Sequence, residues 1–306
     1  MEKVSSTVVP VSALLRKRVE ASAPNAGQVP DLASYDWIAV SSSGGKDSQA
    51  MLDYVVELAR AAGVMEHVVV IHADLGRVEW EGTGELAARQ AAAYGLRFIV
   101  TSRIGGVATV SGDTYTKGET FGDLLDYAER RKAWPSSKAR WCTSEFKRGP
   151  ILKVFTALAK EHREKTGSKA PCRILDCMGL RAEESPARAK KVQMVERMRT
   201  ATQAIDSWLP IHHWLEGHVW ARIKASNVEH HRAYDLGMPR LSCAFCIFAP
   251  KAALVLSGKH NRALLDAYVA VEERIGHTFK MGLSLAEVKK AVEADAEVSE
   301  IAGWTM

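Results

Sequence analysis

The clearest hydrophobic patterning begins at residue 37. Trp37, Ile38, Ala39 and Val40 form a short uninterrupted apolar run. Over 49–62 the apolar positions take helical spacing, with Met51, Leu52, Val55, Val56, Leu58 and Ala59 on one face, and Gly63 is placed to stop the helix. A second apolar run follows at 68–71, an alanine-rich helical pattern at 85–94 stopped by Gly95, and a third run at 96–100. Short strands alternating with helices, joined by short connections, predict parallel pairing with right-handed crossovers. The predicted fold class is therefore α/β, a parallel sheet with helices on both faces.

Further along, 103–148 reads as irregular and rich in Gly, Thr and basic residues. A helix is expected over 150–163, a buried strand over 173–180 and a shorter strand over 210–214. Helices are expected over 261–275 and 284–294, the latter opened by a capping box of Ser284 and Glu287. The pattern divides into a leader at 1–35 with one short helix near 12–20, an α/β domain at 36–250 and a helical C-terminal subdomain at 251–306. No internal repeat breaks this order.

Composition narrows the class. The chain has 306 residues, 47% hydrophobic and 25% charged, enough apolar content for a large core. No apolar run approaches the roughly 18 residues of a membrane span. The first twenty residues lack the continuous apolar segment of a signal peptide, so the cytoplasm is the expected location and no membrane partner is expected. The net charge is only +5, but its distribution is uneven. Arg130, Arg131, Lys132, Lys138, Arg140, Lys147 and Arg148 face a single acid, Glu145, and Arg181, Arg188, Lys190, Lys191, Arg197 and Arg199 form a second basic stretch. Such clusters suit a polyanion, or else solvated helix faces. The five cysteines, Cys142, Cys172, Cys177, Cys243 and Cys246, read in that compartment as metal or redox residues or as buried thiols rather than as disulfides.

The chemistry concentrates after the first strand, in Ser41-Ser42-Ser43-Gly44-Gly45-Lys46-Asp47-Ser48. Ligands of α/β sheets bind at the C-terminal ends of the strands. Glycines there let a backbone approach closely, a helix N-terminus attracts phosphate, and Lys46 adds a point charge. Ser43 and Ser48 supply hydroxyls, while Asp47 needs either a role in loop geometry or a metal ion. The spacing of a Walker loop is not met.

Ser43–Ser48 resembles the PP-loop of the ATP pyrophosphatases, and the later segments resemble the phosphoadenosine phosphosulfate reductase-like branch of that superfamily. The matching segments are HADLG at 72–76, WCTSEFKRGPI at 141–151, GLRAEESPAR at 179–188, PIHHWLEGHVWARI at 210–223 and YDLGMPRLSCAFC at 234–246. The resemblance covers about 36–250. It implies an adenine nucleotide α-hydrolase-like fold and ATP, with Mg²⁺, held by Ser41, Ser43, Gly44, Gly45, Lys46, Asp47, Ser48, Asp74, Gly179 and Arg181. Lys46, Asp47 and Arg181 are the candidate catalytic residues. A planar guanidinium just past a strand end suits phosphate, although Arg181 has Glu183 and Glu184 nearby as plain ion-pair partners.

Two departures separate the chain from a true sulfonucleotide reductase of that family. The 60 residues after Cys246 contain no cysteine to act as nucleophile, and the PP-loop is intact. The resemblance then turns to PP-loop sulfurtransferases, in which Cys142, Cys243 and Cys246 would hold a [4Fe–4S] cluster with one iron open. Structural zinc, with His230 or His231 as fourth ligand, is the alternative. Cys172 and Cys177 are expected to be bystanders. Among sulfurtransferases the DNA phosphorothioation enzymes match best. They imply nucleic acid as acceptor, DNA ahead of tRNA, a cysteine desulfurase as sulfur donor and other DNA-modification subunits as partners. A tRNA-thiolating enzyme, a phosphoadenosine phosphosulfate reductase and a non-catalytic nucleotide-sensing subunit are the competing readings.

Overall fold

A computed structural model describes residues 27, 29–104, 107–111, 122–298, 301–302 and 304. The helix expected near 12–20 lies outside the described residues. Among the described residues, seven strands form one sheet: β1 (Trp37–Ser42), β2 (Val68–Asp74), β3 (Arg97–Ile104), β4 (Val107–Ser111), β5 (Cys172–Cys177), β6 (Met194–Arg199) and β7 (Gln203–Trp208). Their order is β4-β3-β2-β1-β5-β7-β6. The five central strands run parallel, and each edge strand is antiparallel to its neighbour.

The helices are α1 (Lys46–Ala62), α2 (Thr83–Ala92), α3 (Leu124–Arg131), α4 (Gly149–Thr166), α5 (Glu216–Ser226), α6 (Lys251–His260), α7 (Arg262–Ile275) and α8 (Leu285–Glu293). Among the described residues, no helix is long and apolar enough to cross a membrane. β1 and β2 are largely apolar because both of their faces are covered. Ile38, Val40, Val68 and Val70 point into a core with Met51 and Val55 of α1, which also takes in residues of α2 and α5. Ala39, Val69 and Ile71, one position out of phase, meet Val154, Phe155 and Leu158 of α4 on the other face.

A third core lies beyond the strand ends. Trp80, Leu125, Trp141, Phe245, Tyr268 and Leu285 share it, so the C-terminal helices pack against segments from three earlier stretches of chain. Trp134 stacks flat on Tyr268 at 5.5 Å, and its Nε1 donates to His277 O at 2.8 Å.

The strands and helices predicted up to residue 100 appear, most of them extended by two to four residues. Gly63 and Gly95 take the left-handed conformation that ends each helical stretch. Ser284 and Glu287 form the expected capping box. Three expectations fail. The stretch 103–148 is not irregular throughout, because it contains β4, α3 and a helical segment from Trp141 to Arg148. The strand expected at 173–180 ends at Cys177. No strand forms at 210–214, where His212 N–H donates to Leu209 O and Trp214 N–H to Ile211 O in successive turns that begin around Pro210.

The buried Glu272 links two of the C-terminal helices. Its carboxylate accepts from Phe279 N–H at 2.6 Å and from Leu285 N–H at 2.7 Å, fixing the connection from α7 to α8. Glu272→Ala would strand two buried donors and should cost roughly 2–4 kcal/mol. Glu272→Gln, which keeps one acceptor, should cost less. Urea unfolding of the two variants checks the order.

Candidate functional site

The site is built where β1, β2 and β5 end. Gly44 has φ +67°, and a Cβ there would press on Thr83 O at 3.1 Å, so the turn needs glycine. Gly45 is the N-cap of α1 and offers no side chain; the Tyr234 hydroxyl takes the first N–H, and the N–H groups that follow at this positive helix end have no N-cap side chain. Ser48 Oγ donates to Gly45 O at 2.9 Å and accepts from Ser43 N–H at 3.2 Å, holding the loop in shape. Ser41 lies within β1 beside Ile71 of β2.

Lys46 is 3% exposed. Its Nζ donates to Pro239 O at 2.6 Å and lies 3.4 Å from Glu216 and 4.0 Å from Asp47. Its backbone N–H donates to the Tyr234 hydroxyl at 2.8 Å. Arg181, also 3% exposed, donates from Nε to Asp47 Oδ1 at 2.5 Å and pairs with Glu183. Burial alone would favour a neutral guanidine, but Asp47 and the nearby glutamates reverse this and hold Arg181 firmly charged. The ion pair with Glu183 foreseen for Arg181 therefore forms, and Asp47 is added to it. Glu184 instead accepts from Arg181 N–H and pairs with Arg188 and Arg240.

Gly179 brings this element against the loop. A Cβ there would sit 3.0 Å from Asp47 C and O and 3.1 Å from Ser48 N. Asp74 ends β2, buried, and accepts from Gly76 N–H at 2.7 Å. Both Asp47 oxygens face cations, so Asp47 is not free to form part of an all-protein Mg²⁺ cage. A Mg²⁺ ion fits as one that arrives on polyphosphate oxygens.

The three candidate cluster cysteines occupy one neighbourhood. Cys142, Cys243 and Cys246 are half-buried at the edge of the third core. Burial pushes the Cys243 thiol up to about 12, with Lys147 pulling the other way and Cys246, Glu79 and Cys142 adding negative charge. Burial raises Cys246 likewise, with Lys147 and Arg240 opposing it. Nearby cations of this kind suit a set of three thiolates.

Among the described residues, the only three candidate ligand atoms within 4.8 Å of one another belong to Asp36, His162 and Cys172. The Cys142, Cys243 and Cys246 trio is thus wider than the roughly 3.8 Å sulfur spacing around one tetrahedral zinc. The histidines weighed for zinc are also engaged. His231 accepts from Ala233 N–H through Nδ1 and meets Thr83 through Nε2, and burial lowers its pKa to about 4. His230 pairs with Asp235. With both histidines engaged, an all-cysteine donor set suits a cluster better than structural zinc.

Sequence reasoning missed the residues that join these parts. Tyr234, Pro239 and Arg240 contact Lys46 or Glu184, and Ala244 N–H donates to Val78 O at 2.8 Å. All lie in the 234–246 segment, whose chain order carried the signal without the contacts. His72 was noted only as part of the HADLG motif and Glu79 not at all: His72 Nδ1 donates to Ser42 O at 3.0 Å, and its Nε2 faces Glu79 at 3.4 Å.

The basic stretches separate. Arg130, Arg131, Lys132, Lys138, Arg140, Lys147 and Arg148 are all exposed. Arg131 lies over the rings of Tyr127 and Trp141, Arg140 lies over Phe248, and Glu145 is taken by Arg103. In the second stretch Arg181, Arg188, Arg197 and Arg199 are committed to internal carboxylates.

A family model, the phosphoadenosine phosphosulfate reductase domain, matches residues 37–249. The chain belongs to this family. No curated protein matches it in sequence. Among solved structures, a phosphoadenylyl-sulfate reductase from Candida auris, in a phosphate complex, is 16% identical with TM-score 0.42, covering 79% of this chain and 98% of its own. Yeast FAD synthetase in complex with FAD is 12% identical with TM-score 0.43, covering 99% and 90%. The U34-tRNA thiolase NcsA of Methanococcus maripaludis, with its [4Fe–4S] cluster, is 11% identical with TM-score 0.36, covering 96% and 84%.

The close approach at Gly179 generates a prediction. Backbone atoms cannot yield to a Cβ as a flexible side chain would, so Gly179→Ala should push the 178–181 loop off the start of α1. ATP binding should weaken about tenfold, about 1.4 kcal/mol. Calorimetric titration checks this, and unchanged affinity would place the nucleotide away from this loop.

Proposed function

We propose that the chain cleaves ATP to AMP and pyrophosphate and uses the adenylation to replace an oxygen of nucleic acid by sulfur, the DNA backbone phosphate before a tRNA base. One observation carries the reading. The start of α1, which has glycine at its N-cap and buried Lys46 and Arg181 beside it, is joined by the 234–246 segment to Cys243 and Cys246.

The chemistry follows from the charges. Open N–H groups and Lys46 can hold the β- and γ-phosphates and receive the negative charge that builds on departing pyrophosphate. Arg181 would meet oxygens of the α-phosphate, where an acceptor oxygen would attack phosphorus as the bond to the β-phosphate bridge breaks. Asp47 orients Arg181 and Lys46 rather than meeting phosphate itself. The acceptor oxygen then leaves with AMP when sulfide-level sulfur attacks the same atom, a persulfide sulfur having first taken two electrons from an external thiol reductant.

Cys142, Cys243 and Cys246 are the residues that would hold a [4Fe–4S] cluster. When bound, the cluster supplies a site for the incoming sulfur. Lys147 and Arg240 offset the charge of its thiolates. A cysteine desulfurase would deliver the sulfur, other DNA-modification subunits would choose the site, and the reaction would run in the cytoplasm. In this reading 36–250 is the catalytic unit, and 251–306 buttresses the cysteine side.

Incubated with Mg²⁺ and ATP, the protein should release AMP and pyrophosphate, and Lys46→Ala should slow this at least about 100-fold. ADP and phosphate as products would overturn the assignment. Protein purified without oxygen should be brown, and serine at Cys142, Cys243 or Cys246 should bleach it, whereas Cys177→Ser should not.

The exposed basic edge gives a separate expectation. Replacing Arg131, Lys132 and Lys138 together with glutamine should flatten the salt dependence of duplex DNA binding by about 0.9 log–log units for each phosphate no longer neutralised. An unchanged slope and affinity would remove this edge from the acceptor site.

A further inference from the structure

We propose that Asp36, His162 and Cys172 form a second metal site, for a single divalent ion of the zinc class, at the end of the sheet opposite the PP-loop. Their ligand atoms lie within 4.8 Å of one another. Three separate elements supply them. Asp36 immediately precedes β1, Cys172 opens β5 and His162 lies on α4.

The placement is rigid. β1 and β5 pair in parallel, Asp36 N–H donates to Arg173 O at 2.9 Å, and Asp36 Oδ2 accepts from Arg173 N–H at 2.7 Å. The other carboxylate oxygen faces His162 Nε2 at 3.6 Å. One turn before His162, Leu158 O accepts from Trp37 Nε1 at 3.1 Å, which locks α4 against the start of β1. Cys172 N–H donates to Thr202 O at 3.0 Å, fixing the thiol from the far side.

The donors are thiolate sulfur, imidazole nitrogen and carboxylate oxygen, a mixed set that suits zinc or cobalt. Bonds of roughly 2.0–2.3 Å in tetrahedral geometry put ligand atoms roughly 3.3–3.8 Å apart, so closure asks for shifts of about an ångström. Cys172 is fully buried, while Asp36 and His162 are half-buried, which gives the ion a solvent side for entry and for a water as fourth ligand. The charges balance, since one thiolate and one carboxylate neutralise a divalent ion. Without a cation, burial and then Asp36 push the Cys172 thiol up to about 12, so binding exchanges the thiol proton for the metal and releases one proton. The bound ion would pin the starts of two central strands to α4, remote from the reacting atoms.

Co²⁺ titration of the full-length protein tests the site, read by the thiolate-to-cobalt absorption band and by stoichiometry. Wild type should bind one equivalent that both Cys172→Ser and His162→Gln lose, and Asp36→Asn should weaken it at least about tenfold. Zinc should raise the Tm of wild type and leave that of His162→Gln unchanged. Cys172 is buried and its variant could misfold, so the half-buried His162 decides. If His162→Gln keeps the same stoichiometry, band and zinc-dependent Tm as wild type, the site does not exist. Removing the band by replacing Cys243 alone would also overturn it.

Discussion

The buried ion pair between Arg181 and Asp47 is the interaction on which the rest of the site depends. A guanidinium and an ammonium that are almost fully buried are tolerable only with anions beside them. The resting protein supplies these from Asp47, Glu183 and Glu216. A polyphosphate entering at the start of α1 therefore meets cations already desolvated and oriented, and binding exchanges one set of anionic partners for another. Glu216 and Glu183 are far more exposed than the cations they hold, so they can turn to solvent while Asp47 stays. In the proposed reading that difference gives Asp47 a positioning role and makes the outer glutamates the ones a nucleotide would displace.

The 234–246 segment carries this constraint to the cysteines. Tyr234 meets the first N–H of α1, Pro239 O accepts from Lys46, Arg240 pairs with Glu184, and Ala244 binds the turn after β2. These four short-range contacts tie the nucleotide loop, the Arg181 element and the HADLG turn to the stretch of chain that bears Cys243 and Cys246. Cys142 arrives from the opposite direction, on the helical segment leading into α4. Cys243 and Cys246 are thus held by the same packing that fixes Lys46, and neither set can shift far without disturbing the other.

Legibility in the sequence followed period and burial. β1, β2 and α1 have both faces or one clean face covered, so apolar runs and helical spacing marked them, and glycine at Gly63 and Gly95 marked the helix ends. The edge strand β6 was invisible because much of it faces solvent: Met194-Val195-Glu196-Arg197-Met198-Arg199 shows charges where a central strand shows valine. The turns at 209–214 imitate a strand because Ile211 and Trp214 are buried without being extended. For the site, the loop, Arg181 and the cysteines stood out by residue type. Tyr234, Arg240 and Glu216 did not, because tyrosine, arginine and glutamate carry no signal of a partner far away in the chain. Cys172 read as a bystander since Asp36 and His162 meet it only through strand pairing and helix packing.

The division of basic residues follows from the same cost of burying charge. Arg181, Arg188, Arg197, Arg199, Arg222 and Arg240 each reach a carboxylate that is largely buried, such as Glu184, Asp176 or Glu57, and those pairs hold elements together. Strong pairs of this kind have no attraction left for a distant polyanion, since their fields cancel within a few ångströms. The 130–148 edge is built differently. Its only acid is turned inward to Arg103, its cations are exposed, and aromatic rings beneath Arg131 and Arg140 support the guanidinium planes. Long-range attraction for a polyanion therefore comes from the side of the molecule that also carries Cys142; in the proposed function this would seat a nucleic acid beside the cysteines rather than over the Ser43–Ser48 loop.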